Sequence, residues 1–152
     1  MAEALLPPNL PQWMKDHVAL YQKSGGKEGH MYAVPSLPKP VASLLLVTKG
    51  RKSGEKYLFP LFYGESGSSY FVIASKGGAP DHPGWYKNML VHPDVDIQVG
   101  TKTVKAKART VPAGPERDKL WKQAVGFFPP YADYQKKVPD REIPVVVLDP
   151  IH

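Results

Sequence analysis

The chain has 152 residues, of which 42% are hydrophobic and 22% charged, proportions that exclude wholesale disorder and fit a single globular unit. It has no cysteine, which excludes disulfides, thiolate metal sites and cysteine nucleophiles. A net charge of +6 favours anionic partners such as phosphates and polycarboxylates, and says nothing about fold.

In chain order, Asn9 is a candidate N-cap for a helix carrying Leu10, Trp13, Met14, His17, Val18 and Tyr21 at helical spacing, ended by Gly25-Gly26. Lys27–Pro40 reads as loop because of Pro35, Pro38 and Pro40. Val41–Val47 is a continuous apolar run suited to a strand buried on both faces. Tyr57–Tyr63 is an aromatic-rich strand in which Pro60 marks an edge or bulge. Gly64–Gly67 is then a turn into a strand at Ser69–Ser75. Pro83–Leu90 and Pro115–Val125 read as helices, the second with Pro at its first position and Glu116 in its first turn. Between them, Val95–Val99 and Thr103–Arg109 form a hairpin, and Val145–Leu148 is a last strand. The predicted class is therefore α+β, with about six short, mostly antiparallel strands closed into a small barrel and three or four helices. Residues 1–40 form an N-terminal helix and loop, and 41–152 the barrel.

Four segments carry chemistry. Gly50-Arg51-Lys52-Ser53-Gly54 combines cations with flexible backbone, as for an anion site or a solvated basic turn. Ala74-Ser75-Lys76-Gly77-Gly78 suits a phosphate nest or an ordinary loop, and is neither a Walker A loop nor a GxGxxG fingerprint. Trp85, Tyr86, Lys87 and Asn88 open a helix just beyond it, where a helix N-terminus would add positive potential, unless Trp85 is only a core anchor. Phe127–Tyr134 clusters aromatic residues on a proline-bounded segment, as either a lid over a planar ligand or a plug closing the barrel. The five histidines show no metal spacing, so no metal is expected.

Taken in order, TKGRKSGEKYLFPLFY, SYFVIASKGGAPDHPGWYKNMLVHPDVDIQVG and FFPPYADYQKKVPDREIPVVVL resemble the deazaflavin-dependent nitroreductase family over about Val41 to Pro150. The resemblance implies a split β-barrel, an oxidoreductase, and coenzyme F420, a planar 8-hydroxy-5-deazaflavin with an anionic tail. It implies hydride transfer from the reduced cofactor to a quinone, enone or nitroaromatic acceptor. By position, Arg51, Lys52 and Ser53 would hold the tail. Pro60, Leu61 and Phe62 with Ala74, Ser75 and Lys76 would line the ring and phosphate, and Trp85, Tyr86, Lys87 and Asn88 would close the site. Tyr131 matches the family's active-site tyrosine, and Ser75 is placed to bond near the ring or substrate. The nitroimidazole-activating member carries Tyr where this chain has Phe128, so the resemblance points to quinones and enones ahead of that prodrug chemistry.

Two other classes compete. One is an FMN-dependent split-barrel oxidase. The other is a non-enzymatic basic barrel for an anionic ligand or nucleic acid, suggested by Lys105, Lys107 and Arg109; no aromatic alternates with those cations, so no nucleic-acid partner is expected. No apolar run approaches the roughly 18–20 residues of a membrane span, and Met1–Asn9 lacks a signal-peptide pattern, so the expected location is the cytoplasm. The apolar stripe Leu6, Leu10, Trp13, Met14 and Val18 either caps the barrel or docks on the inner face of an anionic membrane.

Overall fold

The computed structural model describes residues 4–151; residues 1–3 and 152 lie outside that description. The first helix, α1, spans Gln12–Lys23, two residues later than the Asn9 cap predicts. Leu10 is instead held in a turn by its N–H bond to the Pro7 carbonyl, and Pro11 starts the helix. Strands β1 (Met31–Tyr32), β2 (Val41–Lys49), β3 (Lys56–Phe62), β4 (Gly64–Ser66) and β5 (Ser69–Ile73) follow. Next come a single 3-10 turn at Lys76–Gly78, α2 (Gly84–Val91), β6 (Asp94–Val99) and β7 (Lys102–Thr110). The chain ends with α3 (Pro115–Phe127), α4 (Pro130–Lys137) and β8 (Val145–Pro150).

The predicted split β-barrel is the fold observed, with eight strands in place of six. The additional two are short. Met31–Tyr32 pairs with Val41 and Ala42 inside the segment predicted to be loop, and Gly64–Ser66 pairs with β5 where only a turn is predicted. Neither has the length or alternation that marks a strand in sequence. The proline-bounded aromatic segment is a fourth helix, α4, with Pro130 as its first residue.

All strand pairings are antiparallel, in the order β1-β2-β6-β7-β8-β5-β4, with β3 also on β2. Strand β3, paired only with β2 off this path, and β4, at its far end, are edge strands, yet Tyr63 alone joins them. That connection forces the sheet to curl until its two ends meet. The Tyr63 hydroxyl is 2.7 Å from His30 Nε2, and burial pushes its pKa up to about 12. Away from Tyr63 the ends separate. Strand β4 covers β5 only from Ser69 to Phe71, leaving that side of β5 unpaired from Val72 onward.

The core follows from the strand pattern. Leu44, Leu46, Val72, Ile97 and Leu148 are fully buried inside the barrel with Trp85, Tyr86 and Met89 of α2. A second cluster packs Phe71, Val145 and Val147 against Leu120, Ala124, Phe128 and Tyr131 of the helical layer. The continuous apolar run of β2 is buried on both faces because α1 covers its outer side through Val18 and Tyr21.

Tyr21 fixes α1 to the barrel. Its hydroxyl accepts the Gly100 N–H at 2.6 Å and lies 3.1 Å from the Ser43 and Gln98 carbonyls, to which it donates. Next to it, Gly26 adopts φ +89° so close to the Gly100 carbonyl that any Cβ would overlap it. Tyr21→Phe keeps the ring but leaves the Gly100 N–H without its partner. The expected cost is about 1–3 kcal/mol, read as a lower urea midpoint with an unchanged slope.

Candidate functional site

Where β3 and β5 diverge, a cleft of about 810 Å³ opens. Its geometry follows from the edge position of β3. The Leu58 N–H donates to the Leu5 carbonyl and the Lys56 carbonyl accepts the Leu5 N–H, so alternate β3 residues point their main-chain groups away from β2. By strand alternation, Pro60 and Phe62 face the same open side. Pro60 has no N–H to offer a further strand, and the pairing by Leu5 stops short of it. The cleft occupies that side.

Arg51, Lys52, Ser53, Pro60, Leu61, Phe62, Ser75, Lys76, Trp85, Asn88 and Tyr131 all line this one cleft. Ala74, Tyr86 and Lys87 are not on its wall. Ala74 lies at the end of β5 with its side chain in the barrel core. Tyr86 turns inward too, its hydroxyl 2.8 Å from Thr110 Oγ1. Lys87 reaches Asp81 at 3.6 Å.

One end of the cleft is cationic. Arg51 donates from its backbone N–H and its guanidinium to Asn88 Oδ1 at 3.2 and 2.8 Å. Asn88 in turn donates to Thr48 Oγ1 at 3.2 Å. Buried Asn88 thus joins the β2–β3 loop to α2. Beside it, Lys76, Gly77 and Gly78 have φ of +48°, +63° and +81° in succession. Lys76 is bonded to Asp81 at 3.2 Å, which holds the Asp81 carboxyl below its ordinary pKa. Gly78 packs on α4, where an added Cβ would come within 3.0 Å of the Tyr134 carbonyl.

The other end is aromatic. Phe62, Phe128, Tyr131 and Tyr134 form a contiguous group, with the Phe128 and Tyr131 centroids 4.8 Å apart. Tyr131 is buried, and desolvation raises its phenol pKa well above the ordinary value, so it stays protonated at neutral pH. Ser75, also buried, faces the cleft from the end of β5.

The wall opposite was not predicted to belong to the site. Pro7, Leu10, Pro11, Trp13, Met14 and His17 close the cleft from the N-terminal side. Trp13 stacks on Tyr32 at 5.7 Å, and Tyr32 stacks on His17 at 4.2 Å. Burial lowers the His17 pKa, and its Nε2 lies 2.7 Å from the Gly29 carbonyl. The sequence signal for this wall was the proline-rich run before α1, whose turn from Pro7 to Leu10 carries the chain from the β3 edge into the helix.

The profile of the F420H2-dependent quinone reductase family matches residues 13–150. The chain belongs to the F420H2-dependent quinone reductase family. An F420H2-dependent quinone reductase of Mycobacterium tuberculosis is 40% identical over 140 residues, covering 90% of this chain and 89% of that one. A solved F420H2-dependent reductase is 44% identical with a TM-score of 0.65, over 70% of this chain and 93% of that chain. A solved domain-swapped dimer is 39% identical with a TM-score of 0.67, over 91% and 98% of the two chains. In this quinone-reductase family member, the cationic loop and α2 meet through Asn88, with a longer contact from the Arg51 guanidinium to the Gly84 carbonyl at 3.5 Å. Asn88→Ala removes the acceptor for Arg51 and the donor to Thr48, and should cost about 1–3 kcal/mol of stability in chemical unfolding.

Proposed function

We propose that this chain uses reduced coenzyme F420 to reduce a quinone in the cleft between β3 and β5. The observation that carries the reading is the joining of a cationic, left-handed loop end and an aromatic end in one cleft of about 810 Å³. F420 has matching parts, a planar ring and a phosphate followed by a polyanionic tail. Arg51, Lys52 and Ser53 would hold the tail, and Ser75 with the Lys76 and Gly77 amides the phosphate. Pro60 and Phe62 would present main-chain groups to the ring edge, with Leu61 beside them. Trp85 and Asn88 would close the α2 side, with Tyr86 and Lys87 acting from behind the wall. The segment from Pro7 to His17 serves as one wall of the site built on the barrel.

When bound, reduced F420 supplies a hydride to the acceptor, and a proton completes the reduction. The aromatic group formed by Phe62, Phe128, Tyr131 and Tyr134 excludes water and orients a flat acceptor. Tyr131 holds a proton at its hydroxyl, kept there by burial. Ser75 offers a second hydroxyl from the end of β5. Exposed Leu6, Trp13 and Leu20, with Lys15 and Lys23 on the same segment, support peripheral contact with an anionic membrane supplying an apolar quinone. Among the described residues, no helix is long and apolar enough to cross a membrane.

Reduced F420 should support steady-state quinone reduction, while NADPH and reduced FMN should not. Equal rates with NADPH would overturn the proposal. If Tyr131 donates a proton or a hydrogen bond in the transition state, Tyr131→Phe should lower kcat by about 10²-fold or more, with F420 affinity near wild type. A change under about twofold would leave Tyr131 as a packing residue.

A further inference from the structure

Arg141, in the turn before β8, does not line the cleft. Its guanidinium nevertheless holds the segment that does. Nε donates to the Ala79 carbonyl at 3.0 Å, and one terminal nitrogen donates to the Ser75 carbonyl at 2.8 Å. The other terminal nitrogen donates to the Ala74 carbonyl at 3.2 Å and to His82 Nδ1 at 2.9 Å. These acceptors bracket Lys76, Gly77 and Gly78. Left-handed backbone at a non-glycine residue such as Lys76 is costly unless its surroundings impose it. Within the loop itself, the backbone supplies the Gly78 N–H to the Ser75 carbonyl and the Ala79 N–H to the Lys76 carbonyl. Arg141 adds the contacts that fix both ends.

The turn carrying Arg141 is held from α4. Gln135 Nε2 donates to the Val138 and Arg141 carbonyls at 3.0 and 2.9 Å, and Gln135 Oε1 accepts the Ile143 N–H at 2.9 Å. The helix bearing Tyr131 and Tyr134 is thereby linked, through Gln135 and Arg141, to the loop bearing Ser75 and Lys76.

His82 makes this linkage sensitive to acid. Accepting from Arg141 requires a bare Nδ1, which only neutral imidazole has. His82 faces Arg141 from the turn, Lys87 and the Tyr86 ring from α2, and Asp81 beside it. Burial, then Arg141 and Lys87, hold its pKa below the ordinary value of 6.5, against the pull of Asp81. A lowered histidine pKa contributes stabilisation that is complete above the ordinary value. That contribution is lost as pH falls from there through the folded-state pKa.

We infer that Arg141 is a positioning residue, clasping the 74–82 loop in the shape that receives the cofactor phosphate, and that protonation of His82 opens the clasp. The inference rests on the proposal that this loop holds F420. Its test is fluorescence titration of F420 into wild type, Arg141→Met and His82→Asn at pH 7.5 and 5.0. Amide hydrogen exchange at Gly78 and Ala79 without cofactor accompanies it. Arg141→Met should bind about tenfold more weakly at pH 7.5 and exchange these amides faster. Wild type should lose affinity on going to pH 5.0. His82→Asn, whose Oδ1 keeps an acceptor for Arg141, should lose less; titration of the ligand itself is common to both proteins. Arg141→Met binding and exchanging like wild type overturns this inference alone, as does an identical pH dependence for wild type and His82→Asn. If Arg141→Met does not fold, the His82→Asn comparison decides. Failure of wild type to bind F420 at either pH overturns both this inference and the cofactor reading.

Discussion

Pro60 has no N–H to give a neighbouring strand, and the sheet edge on which it sits is left open. Much of the site depends on that edge. Because β3, an edge strand on β2, and β4, the far end of the pairing order, are joined only by Tyr63, the barrel must close there and separate beyond it. An open apolar edge would normally invite pairing with another chain. Here Leu5 takes up the Lys56 and Leu58 groups, and proline ends the offer just where the cleft begins. The cleft is thus produced by the topology of the sheet rather than carved into its surface.

The elements around the opening are joined by polar contacts as well as by packing. Asn88 ties Arg51 to α2, Arg141 ties the 74–82 loop to the turn before β8, and Gln135 ties that turn to α4. Asn88 and Arg141 bridge segments distant in sequence, while Gln135 holds the turn that follows its own helix. Such bridges set loop geometry without filling the cleft, which leaves room for a ligand of two unlike halves. The cationic end and the aromatic end are held by different elements, yet α4 touches both through Gly78 and Tyr131.

Much of this was legible in the sequence. The β2 run, the Pro60 edge, the β6–β7 hairpin and the α3 start all appear as read, because each rests on local chemistry: continuous apolar residues, a missing N–H, alternation, or proline at a helix start. The short strands at Met31–Tyr32 and Gly64–Ser66 were not legible, since two or three residues carry no periodicity. Around the cleft, residue type pointed to segments that line it but not to side-chain direction. Ala74 and Tyr86 belong to cleft-lining segments and point into the core. Arg141 was invisible for a related reason: its partners are main-chain carbonyls more than 60 residues away, and carbonyls leave no signature in a sequence.

The central claim is that the open β3 edge and the Ser75–Gly78 loop bind one ligand together. Amide hydrogen exchange with and without F420 tests it directly. Simultaneous added protection is expected at Phe62 and at Lys76 and Gly77, with the β6–β7 turn at Gly100 unchanged. Protection confined to the basic Arg51–Gly54 loop, with the β3 edge exchanging as before, would contradict it.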